Sequence, residues 1–237
     1  MHYWNRTNFE GLRAIAQSLA DNVELADFAG YCEMRYRGLR RQAMDRLSAF
    51  IKRAATWVSP DQRRFANWIC EVQSRNPGVH WLVADPLERW LVSVLKEWAA
   101  EDPSALPRRW LGLLTLDTTF YEQALRADPA DDFSRTKLFD ALVGEVEFST
   151  HHIPEGFIGD PKAILQTAAQ AEGLLEGLRQ LSAQNAARED LAQAKQKVLD
   201  WVEFKSAHSS QTFEEWCTAT RGYTWSAVTR VYYRDQK

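Results

Sequence analysis

Along most of this chain the apolar residues return every three or four positions, the spacing of one helix face, and not at the strict alternation of a half-buried strand. Phe9, Leu12, Ile15, Ala16 and Leu19 make the first such stripe and predict a helix over Asn8 to Ala20. Phe28, Cys32, Tyr36, Leu39, Ala43, Leu47, Phe50, Ala54 and Trp57 trace a second from Leu25 to Val58. That run predicts one long helix, weakened by Gly38 but not ended by it. Ser59-Pro60-Asp61-Gln62 reads as the next start, with the serine as cap, the proline where no donor is required and the glutamine in the capping-box position. Its stripe is Phe65, Trp68, Ile69 and Val72, and Asn76-Pro77-Gly78 ends it.

Asp85-Pro86 supplies another cap acceptor and helix start, and Leu87, Trp90, Leu91, Val94, Leu95 and Trp98 give that helix a wide apolar surface. Asp102-Pro103 and Leu106-Pro107 predict a break. A short segment from Trp110 to Leu116, a helix over Asp117 to Ala127, and a helix opened by Asp128-Pro129 and reaching Phe148 follow. Beyond Asp160-Pro161, residues 162–206 are rich in alanine, leucine, glutamate, glutamine and lysine, all strong helix formers. Ile164, Ala168, Ala171, Leu175 and Leu178 form one stripe, and Leu191, Ala194, Val198 and Trp201 another. The reading places a turn at Ser182 to Arg188, which makes a helical hairpin. Phe213, Trp216 and Cys217 mark a short helix before Gly222. Tyr223 to Tyr233 admits either a strand, for its aromatic and β-branched content, or a last helix carrying Trp225, Val228 and Tyr232.

The pattern predicts an all-α fold: an irregular multi-helix bundle of about seven to nine helices with a C-terminal helical hairpin. Asp-Pro recurs at Asp85, Asp102, Asp128 and Asp160 at uneven separations, which is repeated use of one helix-start device and not an internal repeat. The expectation is a single helical domain over residues 1–237. The loop from Thr150 to Gly159 is the one plausible boundary, dividing an N-terminal bundle (1–149) from a C-terminal helical region (161–237).

Composition narrows the class more than the function. Apolar residues make up 45% of the 237 and charged residues 26%, too apolar for an intrinsically disordered chain. With 29 basic and 32 acidic residues the formal charge is -3, so no global field draws the protein to nucleic acid, which is disfavoured as a partner. The opening residues lack the order of a secretory signal, and no apolar run approaches the ~18 residues of a membrane span. Cys32, Cys70 and Cys217 are odd in number and far apart, against a disulfide framework. The expectation is a cytoplasmic protein with no membrane association, and self-association is left open.

Two local features carry candidate chemistry. The loop Thr150-His151-His152-Ile153-Pro154-Glu155-Gly156-Phe157-Ile158-Gly159-Asp160 holds two of the five histidines beside two carboxylates. Imidazole and carboxylate suit a divalent metal, and a histidine next to an acid suits general base work. Pro154 breaks helical register, so this is no HExxH motif, and in an extended backbone one of His151 and His152 would face inward. Under this reading the chain is a small hydrolase, possibly metal-dependent, with His151, His152 and Glu155 catalytic and His151, His152 and Asp160 as ligands. No other cofactor is indicated.

The second feature is basic: Arg35, Arg37, Arg40, Arg41, Arg46, Lys52, Arg53, Arg63 and Arg64 crowd one stretch, with Arg37, Arg41 and Met44 on one flank. Arg108-Arg109-Trp110 is a further basic and aromatic string. Ten tryptophans lie mostly on core stripes, but Trp4, Trp81, Trp110 and Trp225 fall near turns or ends, where a half-exposed ring can dock a partner. Nucleophile elbow, phosphate loop and paired CxxC patterns are missing from the sequence. The leading expectation is therefore a noncatalytic binding or adaptor protein with an acidic protein partner, using Arg37, Arg41, Arg108, Arg109 and Trp110.

Overall fold

A computed structural model describes residues 6–153, 155–177, 181–223 and 225. Among them there are eleven α-helices and no strand, an all-α architecture with the C-terminal hairpin in place. The chain forms two compact units, Met1–Pro129 and Ala130–Lys237.

The first unit holds α1 (Arg6–Ser18), α2 (Ala26–Tyr36), α3 (Arg40–Ala54), α4 (Ser59–Arg75), α5 (Asp85–Glu101), α6 (Ala105–Thr115) and α7 (Thr118–Ala127). α2 packs against α1 and α3, α5 against α4 and α6, and α6 against α7. The core is aromatic. Phe28 of α2 meets Phe50 at 5.3 Å, Phe65 at 5.6 Å and Trp68 at 6.1 Å between ring centroids, and Phe65 in turn meets Trp90 at 5.9 Å. Such pairs add roughly 0.5–1.5 kcal/mol beyond the area they bury. These are the residues of the predicted stripes, so the 3.6 period reports the core faces faithfully. α6 and α7 approach closely because residue 112 is glycine: a Cβ there would lie 2.6 Å from the Tyr121 ring.

The helix count exceeds expectation chiefly because the stripe from Leu25 to Val58 is two helices. Gly38 does end α2. Its φ is 75°, a left-handed conformation that glycine adopts without strain. Its N–H donates to the Arg35 carbonyl at 3.1 Å, and that of Leu39 donates to the Met34 carbonyl at 2.8 Å. This pair of bonds is a Schellman motif, which satisfies the last carbonyls of the helix. The apolar stripe survives the break because both helices lay their faces on the same core.

Two predicted caps do not form. α4 and α5 start one residue earlier than a Ser59 or Asp85 cap requires, so Val58 and Ala84 hold the cap positions without a side-chain bond. Gln62 turns back to donate to the Ala55 and Trp57 carbonyls, and Asp85 pairs with Arg89 at 2.8 Å. Asp117, Asp131 and Asp160 are true caps, each accepting from a backbone N–H in the first turn.

The second unit comprises α8 (Asp132–Ser149), α9 (Pro161–Leu175), α10 (Leu181–Ser206) and α11 (Phe213–Arg221). α8 starts after the Asp131 cap and not at Asp128-Pro129. Phe139 and Val146 of α8, Ile164, Ala168, Ala171 and Leu175 of α9, and Leu191, Ala194 and Val198 of α10 form one core. The alanines let α9 and α10 lie close. The turn comes before Leu181: Ser182 to Arg188 lies inside α10, whose alanines and glutamines continue the helix. A second cluster gathers Ile153, Trp201, Phe213, Trp216 and Cys217. Thr212 and Glu215 close a reciprocal capping box at the start of α11. Of the stretch Tyr223 to Tyr233, only Tyr223 and Trp225 are described, so its strand or helix alternatives lie outside the described residues, as do Trp4 and Leu178.

Among the described residues no helix is long and apolar enough to cross a membrane. All three cysteines are free and buried. Burial pushes the thiols of Cys32 and Cys70 up to about 12, and burial together with the Asp200 charge pushes Cys217 up to about 11, so all three are held protonated.

Candidate functional site

The basic stretch singled out in the sequence divides into two kinds of arginine. Arg46 and Arg53 reach across to Asp27 of α2, at 3.2 and 2.8 Å, and join α3 to α2. Arg63 pairs with Glu101, and Arg64 with Asp61 at 3.0 Å. Arg35, Arg37, Arg40 and Arg41 surround the Gly38 turn and have no carboxylate partner among the described residues. Three of these, Arg37, Arg40 and Arg41, are exposed.

Arg35 is half-buried and lies over the Trp81 indole, its guanidinium carbon 4.2 Å from the ring centroid. This cation–π contact leaves the guanidinium without a charged acceptor, and its Nε is enclosed with no hydrogen-bond partner. Trp81 itself is fixed from several sides. Its N–H donates to the Asn8 side-chain oxygen at 3.1 Å, its carbonyl accepts from the buried Tyr31 hydroxyl, and Phe9 meets its ring edge-on at 5.2 Å. Burial pushes the Tyr31 phenol well above its ordinary range, partly offset by the Arg35 charge, so it stays a donor. The indole is nevertheless 37% exposed.

Phe9, Arg35, Gly38, Arg40 and Trp81 line a cleft of about 400 Å³. The volume falls in the range of small-ligand pockets, and the walls combine apolar area with two guanidiniums. A Cβ at Gly38 would meet nothing within 4 Å, so the glycine leaves the cleft open. Among the described residues no acid or nucleophile lines it. Chemically it offers an aromatic face, stacking and charge-assisted donors, which are the tools of recognition.

The other sequence candidates are placed differently. Arg108 donates to the carbonyls of Ala99, Asp102 and Ser104 at 2.8–3.0 Å, so its guanidinium satisfies the C-terminal end of α5. Trp110 is only 2% exposed and donates its indole N–H to the Asn67 side chain at 2.8 Å, linking α6 to α4. Arg109 lies 5.5 Å from the Trp110 ring centroid.

In the second unit, His151 and His152 are both exposed, with ring centroids 4.9 Å apart. Neither faces inward. Ile153 takes that position, and Phe157 stacks on Trp201 at 6.3 Å, which anchors the loop from within. Glu155 is exposed, and Asp160 accepts from the Lys162 N–H at 3.1 Å as the cap of α9. Among the described residues no three His, Cys, Asp or Glu side chains converge to hold a metal ion.

One constellation had no sequence signal. Asp200 of α10, fully buried, accepts from Gln196 (2.8 Å), Arg221 (3.1 Å), Tyr223 (2.7 Å) and Trp225 (2.7 Å). Burial pushes its pKa up, but the four hydrogen bonds outweigh that and hold it below the usual aspartate range. Every acceptor position is directed at a donor of this chain, so the carboxylate ties α11 and the residues after it to α10. Trp81, the centre of the cleft, was legible as a half-exposed aromatic near a turn; its pairing with Arg35, 46 positions away, was not.

No protein-family model matches this chain, and no curated protein or solved structure matches it either.

Proposed function

We propose that the protein is a noncatalytic binding or adaptor protein of the cytoplasm, and that it engages an acidic protein partner through the Trp81 cleft and the arginines of the α2–α3 turn. One observation carries this reading: Arg35, Arg37, Arg40 and Arg41 are gathered at one turn with no carboxylate partner among the described residues, while neighbouring arginines have theirs. Like charges at close quarters repel, so such a cluster is maintained at a cost unless something outside the chain neutralises it. Trp81 and Phe9 supply the apolar anchor that converts charge attraction into specific contact. The net charge of -3 supplies no global field toward a nucleic-acid duplex. Three free thiols held protonated suit the reducing conditions of the cytoplasm.

The test is affinity capture with a photo-crosslinker at the exposed Gln42, comparing the protein with its arginines intact and the triple variant Arg37→Glu, Arg40→Glu, Arg41→Glu. An acidic protein crosslinked by the native chain at low salt, released as salt rises and lost with the triple variant, is the expected result. Equal capture by both proteins refutes the reading.

A further inference from the structure

We infer that the partner is gripped at two points along α3, as an acidic peptide segment that sets one apolar side chain in the Trp81 cleft and a second in a hollow further along the helix. This rests on the cleft being a partner site, and it goes beyond that reading by fixing the number and spacing of the contacts.

The second hollow, of about 280 Å³, is formed where α3 meets the start of α5, by Met44, Leu47, Ile51, Lys52, Pro86 and Arg89, with Ser48 at its rim. Leu47 is its fully buried floor, and Met44 and Ile51 are half-buried walls. At about 100° per residue, Arg40, Met44, Ser48, Ile51 and Lys52 fall within roughly 120° of one another around α3. Arg40, which lines the first cleft, therefore lies at one end of the helical flank whose other end lines the second hollow. Ala43, Leu47, Phe50 and Ala54 mark the adjacent core stripe, so this flank borders the core without being part of it.

The charges on the flank are mostly basic. Arg40, Arg41 and Lys52 have no carboxylate partner among the described residues. Asp45 stands at its far edge, and Asp85 pairs with Arg89 by the hollow. A ligand that matches this strip carries carboxylates between two apolar side chains. From Arg40 to the Ser48 and Ile51 positions is eight to eleven residues of helix, or roughly 12–16 Å at ~1.5 Å per residue. An extended peptide crosses that distance in about four or five residues at ~3.3 Å each. The class is thus a short acidic segment with apolar residues about four apart. A nucleic acid would need aromatic platforms at successive bases, and the second hollow contains none.

The probe is a fluorescein-labelled peptide of sequence Glu-Glu-Phe-Glu-Glu-Glu-Phe-Glu-Glu, too short to be helical alone. Controls replace the second phenylalanine by glycine, or every glutamate by lysine. Binding is read by fluorescence anisotropy at low salt, with circular dichroism confirming that each variant is folded. Arg40→Glu is expected to weaken the two-phenylalanine peptide at least about tenfold, and Ser48→Glu, at an exposed position, about fivefold. Ile51→Glu repeats the second test from the wall of the hollow. The single-phenylalanine peptide should bind more weakly and lose less than the two-phenylalanine peptide to Ser48→Glu.

If Arg40→Glu weakens binding and neither Ser48→Glu nor Ile51→Glu does, the two-point inference fails and the single-cleft reading stands. If the native protein binds no acidic peptide, both fail. Equal binding of the lysine peptide, or tighter binding of single-stranded oligouridylate, overturns the acidic-peptide class.

Discussion

Asp200 and the arginines of the α2–α3 turn are charged groups in opposite circumstances. The aspartate is buried among four donors of its own chain, whereas Arg37, Arg40 and Arg41 are exposed with no carboxylate partner among the described residues, and Arg35 rests against the face of an indole. A charge fully engaged inside the fold is structural, since any ligand would have to compete with bonds already made. A charge left open is available. The contrast separates charges spent on the fold from charges left open, a distinction that residue types alone do not make.

The comparison breaks if Asp200 proves dispensable. Asp200→Ala leaves Arg221, Tyr223 and Trp225 without their common acceptor, and should lower stability by about 2–4 kcal/mol in urea unfolding while partner binding is unchanged. Asp200 also sets a pH window. Its folded-state pKa is depressed, so its contribution is present above the ordinary aspartate range, near pH 4, and is lost as pH falls through the folded value. Tyr223 works from the other side: burial, and then the bond to Asp200, push its phenol up to about 12. That contribution is complete below the free-tyrosine value, near 10, and disappears as pH rises through about 12. Thermal unfolding across pH should lose stability at both ends, and the acid limb should be shallower in Asp200→Asn.

Smaller effects sharpen the contrast. Trp110→Phe keeps the ring and removes the hydrogen bond to Asn67, and should cost about 1 kcal/mol with no effect on partner capture. At the lowest end, Arg37→Gln combined with Arg41→Gln should leave stability within roughly 0.5 kcal/mol of native, since both side chains are exposed and have no carboxylate partner among the described residues, yet reduce capture. A loss of more than that in chemical denaturation would mean these charges serve the fold after all.

The sequence made the helix faces readable because burial imposes a period, and Phe28, Phe65, Leu91, Val198 and their neighbours all lie where that period puts them. The division at Gly38 was hidden because α2 and α3 share one core and so preserve the stripe across the turn. Ser59 and Asp85 read as caps because the residue types fit, but a one-residue shift of the helix start moved them past the cap. The cleft was half legible: exposed arginines and a tryptophan near a turn are local features, and their assembly is not. Arg108-Arg109-Trp110 shows the reverse, a conspicuous string whose first and last members point into helix ends and core. Asp200 gave no signal because its partners lie 4, 21, 23 and 25 positions away, and only the fold makes them neighbours.

The Gly38 turn makes the Trp81 cleft a matter of one backbone torsion. With φ at 75°, the chain reverses after Tyr36 and sets Arg35, on one helix, beside Arg40, on the next. A side chain at position 38 would touch nothing, yet it would disfavour that torsion and tilt the balance toward a straight rod from Leu25 to Val58. In such a rod the two guanidiniums would sit on different sides of the helix and the cleft would vanish, although every residue lining it except Gly38 would be the same. The shape of the cleft is in that sense encoded at a position where a side chain would touch nothing.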